Sequence, residues 1–105
     1  MRRSVDYSPD ARTDIVEIGA YFAERNPAVE ERFNQAVSRT ARMLADQPGL
    51  GKRCQFESPE YTDLRVRTII GFRNYLIFFR SNPLTLTEVR IIHGARNYAE
   101  MFGEK

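Results

Sequence analysis

"RNYLIFFR", residues 73–80, is the stretch that decides the fold. Its middle, Tyr75 to Phe79, is apolar at five successive positions. Side chains along a strand point alternately to opposite faces of the sheet, so a strand of this kind needs a cover on each face. The stretch therefore predicts the central strand of a sheet.

The preceding stretch, "TDLRVRTII" (62–70), alternates with a period of two residues, which indicates a strand with one solvated face. Gly71-Phe72 makes its connection to the central strand short. We expect its less polar members on one face and its charged members on the other, namely Leu64, Val66, Thr68 and Ile70 against Asp63, Arg65 and Arg67.

The following stretch, "LTLTEVRIIH" (84–93), comes after the turn "SNP" and alternates again. Three successive strands predict a meander. The alternation assigns two faces to the last strand, with Val89, Ile91 and His93 on one and Glu88, Arg90 and Ile92 on the other.

Two helices are predicted in the first half of the chain, after a short strand in "RRSVDYS". Ser8-Pro9 and Asn26-Pro27 each combine a capping side chain with a proline that suits a first helical turn. The first helix is expected from about 9 to 24 and the second to about Asp46, with few residues between them, so they form an antiparallel hairpin. Their inward faces are Ala11, Ile15, Ile18 and Phe22, and Val29, Phe33, Val37, Thr40 and Leu44.

The last residues, "ARNYAEMFGEK", predict a short helix in which Tyr98 and Phe102 pack together. The order of elements is thus β-α-α-β-β-β with a closing helix. We interpret residues 1–105 as a single α+β domain, in which the helical hairpin packs on one face of a small antiparallel sheet.

Composition narrows the function classes. No apolar run approaches the roughly 20 residues that a membrane helix needs, and the N-terminus lacks the apolar core of a signal peptide, so we expect a cytoplasmic protein that does not act in a membrane. Cys54 is the only cysteine and His93 the only histidine. We therefore expect no internal disulfide, no metal site and no cofactor.

Basic charge is concentrated in the second half of the chain. Of the 16 cationic side chains 14 are arginines, whose planar fork suits carboxylates and phosphates. On the face opposite the helices, Arg65 or Arg67 beside Arg90 would form a cationic surface. The alternative is a solvated face on which Asp63 and Glu88 make cross-strand pairs.

His93 is in register with Ile91, so it is expected to face the helices as a packed residue that donates one N–H to a carbonyl. A catalytic role is the alternative. Arg96 follows Gly94 by two residues, where a turn would let it fold back beside His93. Tyr98 is either a phenol at the rim of a cleft or a lid over the core. No Ser-His-Asp order, phosphate loop or paired-carboxylate motif is present in the sequence.

Five segments in order give the chain a family resemblance: "YSPDARTDIVEIGAYFAERNP", "FNQAVSRTARMLADQPGLGK", "DLRV", "NYLIFFR" and "VRIIHGARN". The most specific parts are Pro48-x-x-Gly51, Leu64-Arg65, Tyr75 to Arg80, and His93-Gly94-Ala95-Arg96. Together they resemble the ParE toxins of bacterial type II toxin-antitoxin modules, plasmid stabilisation proteins of the wider ParE/RelE superfamily.

The resemblance implies two macromolecular partners. One is a cognate ParD-like antitoxin, a ribbon-helix-helix protein whose C-terminal segment wraps the toxin and forms a hetero-oligomer with it. The other is DNA gyrase, which ParE members block so that cleaved DNA accumulates, without being enzymes themselves. For contacts with these partners we expect Arg65, Arg67, Arg90, Arg96, Tyr98 and Phe102, and for structural roles His93, Gly94, Pro48 and Gly51.

The RelE branch of the superfamily is the alternative, because its members cleave messenger RNA on the ribosome. Such chemistry needs a group to activate the ribose 2′-hydroxyl, a group to protonate the leaving oxygen, and cations for the phosphorane. The candidate catalytic set here would be Arg65, His93, Arg96 and Tyr98. RelE-type toxins usually carry lysines or a carboxylate before the meander, where this chain offers only Lys52, Arg53, Glu57 and Glu60. A diverged toxin that acts only as a binding module is the third possibility.

Overall fold

The computed structural model describes residues 2–104 and contains five strands and three α-helices within them. In chain order these are β1 (Ser4–Tyr7), α1 (Pro9–Arg25), α2 (Pro27–Asp46), β2 (Lys52–Arg53), β3 (Arg65–Ile69), β4 (Phe72–Ser81), β5 (Thr85–His93) and α3 (Tyr98–Met101). Single 3-10 turns cover Pro48–Leu50 and Pro59–Tyr61. The predicted α+β class and the helical hairpin are confirmed.

Both long helices begin as their capping residues predict. The Ser8 hydroxyl accepts the Ala11 N–H at 3.0 Å, and the Asn26 amide oxygen accepts the Ala28 N–H at 3.0 Å. Each proline then occupies the first helical turn, where its missing N–H costs nothing. The single residue Asn26 separates the helices, so α1 and α2 pack side by side.

The sheet has the order β1-β5-β4-β3-β2, with β4 at its centre as predicted. The expectation of an antiparallel sheet was wrong for one strand, because β1 pairs with β5 in parallel while the other neighbours are antiparallel. The alternation in β1 does not encode its direction. Direction follows from the helical hairpin, which carries the chain across the sheet before the meander starts.

Each face of the sheet carries its own hydrophobic cluster. The hairpin covers the first face, and the buried centre there includes Phe33, Leu44, Ile77 and Phe79. We call this the hairpin face. The opposite face is covered by α3 and the segment before β3, and its buried residues are Leu64, Phe78, Ile92 and Phe102. The apolar run of β4 therefore has a cover on both sides, as its sequence predicts.

The faces of β3 were predicted the wrong way round. Arg65 and Arg67 lie directly opposite Phe79 and Ile77 of β4, which places both arginines on the hairpin face. Leu64 and Val66 pack on the other face. Because both faces of this sheet are apolar, alternation alone cannot tell which face meets the helices.

The end of β3 also differs from its prediction. Its pairing with β4 shifts between Thr68 and Ile69, so Ile69 is buried and Ile70 is 40% exposed in the turn. The turn after β3 is bonded to α2, because the Thr40 hydroxyl accepts the Ile70 N–H at 3.0 Å.

A bulge in β5 overturns another face assignment. Phe78 lies opposite Arg90 and Phe79 opposite Glu88, so Val89 is an extra residue in the ladder. Val89 consequently packs in the α3-side cluster, while Glu88 is buried on the hairpin face with Ile91. A strict period of two breaks wherever one strand contains an extra residue.

The C-terminal helix α3 is a single turn, as expected for a segment that ends at Gly103. Tyr98 and Phe102 both pack on the ring of Phe78. The Phe78 ring centroid is 5.2 Å from that of Tyr98 and 4.8 Å from that of Phe102. Neither α1, α2 nor α3 is long and apolar enough to span a bilayer.

Gly51 gives a direct test of the packing at the hairpin face. A Cβ atom there would stand 2.6 Å from Cε1 of Phe79 and closer still to its Cζ. We expect Gly51→Ala to lower the free energy of unfolding by about 1–3 kcal/mol, as overpacking does. Urea denaturation measures the change.

Gly49→Ala is the matched control, because nothing lies within 4 Å of a Cβ at that position. The control should change stability by less than about 0.5 kcal/mol. Equal losses in the two variants would contradict the packing argument.

Candidate partner-binding surfaces

His93 lies at the end of β5 and takes part in two local contacts. Its Nδ1 atom accepts the Ala95 N–H at 3.0 Å, and its ring meets Tyr75 edge-on with centroids 4.9 Å apart. The sequence predicted that His93 would donate to a carbonyl, whereas this nitrogen accepts. In the neutral imidazole the proton is then on Nε2. The predicted orientation toward the helices is correct, since Tyr75 packs in the hairpin-face cluster.

Gly94 and Arg96 continue from His93 into a tight turn. The Gly94 N–H donates to the Asn74 carbonyl at 2.7 Å, and the Arg96 N–H donates to the His93 carbonyl at 3.0 Å. Arg96 and His93 line one cleft of about 210 Å³ between α1 and the end of β5. The structure therefore brings these two residues together, as the sequence suggested.

Arg90 is not part of a cationic surface with Arg65 and Arg67. Its Nε and Nη2 atoms donate to the two carboxylate oxygens of Asp14 on α1, both at 2.8 Å. The same carboxylate accepts the Ile91 N–H at 2.9 Å. The pair is largely buried, with 20% of the Arg90 side chain and 7% of the Asp14 side chain exposed. These bonds to Asp14 raise the pKa of Arg90. The Arg90 charge therefore stabilises the fold through Asp14.

Asp14 is a residue that the sequence analysis missed. β1 pairs only with Thr85–Glu88, so the edge of β5 beyond Glu88 has no neighbouring strand. Asp14 takes the place of such a strand by accepting the Ile91 N–H. Ser8 does the same one step earlier, where its hydroxyl donates to the Val89 carbonyl at 2.7 Å. A carboxylate near the inward stripe of α1, one residue before Ile15, was the available signal.

A third arginine lies beside Arg65 and Arg67. It is Arg53 of β2, directly opposite Arg65. We call Arg53, Arg65 and Arg67 the arginine strip. Arg65 donates from Nη1 to the Gly51 carbonyl and Arg67 from Nη1 to the Leu50 carbonyl, both at 2.8 Å. The strip occupies the sheet edge opposite to β1.

Pro48 and Gly51 close the turn that presents those carbonyls. The Gly51 N–H donates to the Pro48 carbonyl at 3.0 Å, and Gly51 itself is buried beneath Phe79. The residues quoted for the family resemblance thus fix the loop against which Arg65 and Arg67 are held.

Tyr98 and Phe102 differ in accessibility. Tyr98 is half-buried and lines a groove of about 370 Å³ together with Phe56, Val66 and Phe78. Phe102 is fully buried in the α3-side cluster, so in this conformation it is core and not the contact residue that we expected. Spacing alone did not distinguish the two roles.

The four candidate catalytic residues do not converge. Arg65 lies opposite Phe79 and His93 opposite Tyr75, which puts them four residues apart along β4, about 13 Å, and on different sides of it. Tyr98 packs on the far face from His93. Only His93 and Arg96 share a cleft.

Within residues 2–104, neither the cysteine thiol nor a cluster of metal-binding side chains forms a candidate catalytic site. Burial raises the pKa of the Cys54 thiol to about 11, so the thiolate is scarce at neutral pH. That described range contains no cluster of three or more His, Cys, Asp or Glu side chains able to hold a metal ion.

Glu88 is a fully buried carboxyl group beside Tyr7 of β1. Within the described part of the chain, neither of its oxygens has a hydrogen bond of normal geometry. Burial raises its pKa from 4.5 to about 8, and the Tyr7 hydroxyl only partly offsets this effect. The folded protein therefore holds Glu88 protonated at neutral pH. The alternative of a solvated face with Glu88 in a cross-strand pair is therefore wrong for this residue.

Comparison with known proteins shows which family the sequence belongs to. The model of the ParE toxin of type II toxin-antitoxin systems, parDE, matches residues 5–98. The chain belongs to the ParE toxin family. It is 28% identical over 91 residues to Toxin RelE3 of Caulobacter vibrioides, a match that covers 87% of this chain and 94% of that protein.

The fold of this ParE-family chain also resembles a solved structure, "Chromosomal ParDE TA system from P. aeruginosa". The TM-score is 0.69 at 17% sequence identity, and the match covers 88% of this chain and 96% of the other. The mixed five-stranded sheet with its helical hairpin is thus an architecture found in a ParDE system.

Asp14→Asn tests the contribution of the Arg90 pair in this ParE-family fold. Removing one charge leaves the part-buried guanidinium without its counter-ion, so the free energy of unfolding should fall by about 2–3 kcal/mol. Asp46→Asn is the control, because Asp46 binds Arg2 and Arg42 in an exposed pair and should matter much less. Equal effects in urea melts would contradict the assignment.

Glu88→Gln tests the protonated carboxyl. In the unfolded chain Glu88 ionises near pH 4.5, whereas the folded chain keeps its proton up to about pH 8. Stability should therefore fall as the pH rises between these values, by at most about 1.4 kcal/mol per pH unit, and the loss is complete above pH 8. Urea midpoints measured across this range should be flatter in the variant.

Glu24→Gln on the exposed surface of α1 is the control for this pH profile and should keep the wild-type slope. A slope that survives Glu88→Gln would assign the pH dependence to other groups.

Proposed function

We propose that this toxin acts as a protein inhibitor of DNA gyrase and is neutralised by a ParD-like antitoxin. Membership of the ParE family supports the toxin role. Because ParE members work by binding, the proposal needs contact surfaces and no catalytic centre. Its candidate contact residues are Arg65, Arg67, Arg96 and Tyr98, all of which retain exposed surface.

The dispersal of the acid-base candidates is the observation that carries the proposal. General acid-base cleavage requires its groups within about 3 Å of the reacting atoms. Arg65 lies about 13 Å along β4 from His93, and the Tyr98 ring packs on the α3-side face, away from the cleft shared by His93 and Arg96. The four side chains are therefore not assembled around one phosphate in this structure. His93 and Gly94 are assigned structural roles, which their bonds to Ala95 and Asn74 support.

A RelE-like ribonuclease is the second candidate, favoured by the name of one relative, Toxin RelE3. A third possibility, a diverged toxin that only binds its antitoxin, shares the same partner. The solved structure that this fold resembles is a ParDE system, which supports a hetero-oligomer with an antitoxin.

Two assays on the purified toxin separate the candidates. We expect it to stop supercoiling by gyrase, to accumulate cleaved DNA, and to leave messenger RNA intact on translating ribosomes. Addition of the co-expressed antitoxin should restore supercoiling. Cuts in messenger RNA with normal supercoiling would reverse the assignment, and no effect in either assay would favour the inactive module.

Two conservative variants test chemistry without loss of fold. Tyr98→Phe keeps the ring on Phe78 and removes only the hydroxyl, whereas His93→Asn keeps an acceptor for the Ala95 N–H and removes the imidazole. His93→Asn should inhibit gyrase within about twofold of wild type, whereas Tyr98→Phe should lose only what the hydroxyl adds to the contact. Cleavage of messenger RNA by the wild type that either variant abolishes at unchanged stability would point to acid-base chemistry.

A further inference from the structure

The arginine strip is a row of like charges on one face of the sheet edge. Arg53 and Arg65 are direct cross-strand partners, so their Cβ atoms are about 5 Å apart. Arg67 follows on the same face of β3, about 7 Å along the strand. Like charges directly opposite one another destabilise a sheet, so the row of three arginines costs folding free energy.

No carboxylate in the described part of the chain neutralises the strip. The ion pairs there join Arg2 and Arg42 to Asp46, Arg80 to Asp63 and Arg90 to Asp14. Lys52, next to Arg53 and also exposed, adds a fourth positive charge at the same edge.

Two of the strip's guanidinium groups are already held in position. Arg65 and Arg67 each use one N–H on a backbone carbonyl, those of Gly51 and Leu50. A guanidinium has five N–H donors, so most remain for a ligand. Since Gly51 is buried against Phe79, packing holds the carbonyl that Arg65 binds, and a ligand meets a guanidinium already held in place.

We propose that the arginine strip binds the phosphate backbone of duplex DNA, the DNA that gyrase holds. The choice of duplex DNA rests on the proposed function. Arginine's planar fork suits phosphate. Protein interfaces centre on apolar anchors, and the exposed large apolar residue beside the strip is Leu50, with 37% of its surface exposed. Nucleic-acid interfaces are instead strongly positive, as the strip is.

This contact would be independent of base sequence, because phosphates carry no sequence information. It would hold the toxin on DNA-loaded gyrase in preference to the free enzyme. The affinity should fall steeply with salt, as counterions are released from each phosphate that an arginine neutralises.

Fluorescence anisotropy of the full chain with a short labelled duplex tests the proposal without gyrase. For three phosphate contacts the plot of log affinity against log salt should have a slope of about −3. Arg53→Gln with Arg67→Gln should reduce the magnitude of that slope by about two. Both residues are exposed, and thermal unfolding would verify that the double variant folds.

The matched control removes two charges elsewhere, through Arg12→Gln and Arg25→Gln on α1, which packs on the β1 and β5 side of the sheet. It should keep the wild-type slope. Arg53→Lys with Arg67→Lys keeps the charges without the fork and should keep the slope at weaker affinity.

Three results would overturn the proposal: equal slopes for the strip variant and the control, tighter binding of an acidic peptide than of the duplex, or tighter binding of single-stranded RNA. A supercoiling assay separates the two proposals. DNA binding that depends on the strip, without gyrase inhibition, would remove the proposed function and leave the strip as a DNA contact. Gyrase inhibition without such binding would remove the DNA contact and leave the proposed function in place.

Discussion

The burial of β4 on both faces is the constraint on which the rest of the structure depends. Phe78 points to one side and Ile77 and Phe79 to the other, so one helical layer cannot cover the strand. The hairpin of α1 and α2 covers one face, while the short α3 and the segment before β3 cover the other. Consequently the C-terminal residues, including Phe102, belong to the core and leave Tyr98 at its rim.

The two edges of the sheet are protected in different ways. Beyond the end of β1, the edge of β5 is closed by side chains of the first helix, because Ser8 and Asp14 bond to its backbone. The other edge is the two-residue strand β2, whose Lys52 and Arg53 are exposed. Short, charged edge strands resist pairing with other chains. The sealed edge thus serves the fold, and the charged edge remains available to a ligand.

The sequence predicted the helices, the central strand and the class of the fold, since caps and hydrophobic period are local signals. It failed where a residue's role depends on distant partners. The side of the sheet occupied by Arg65 follows from which apolar face receives the hairpin, and the burial of Glu88 follows from the extra residue Val89. Asp14 binds Arg90 across 76 positions of sequence, a separation that no local pattern reports.

The parallel pairing of β1 with β5 joins residues at opposite ends of the chain, such as Ser4 and Thr85. Contacts of such long sequence separation slow folding, because the intervening loop must close before the pairing is gained. On the ribosome, β1 has no partner until β5 has emerged from the exit tunnel. A nascent or truncated chain that lacks β5 therefore lacks most of the native sheet, so the native surfaces arise only late in synthesis.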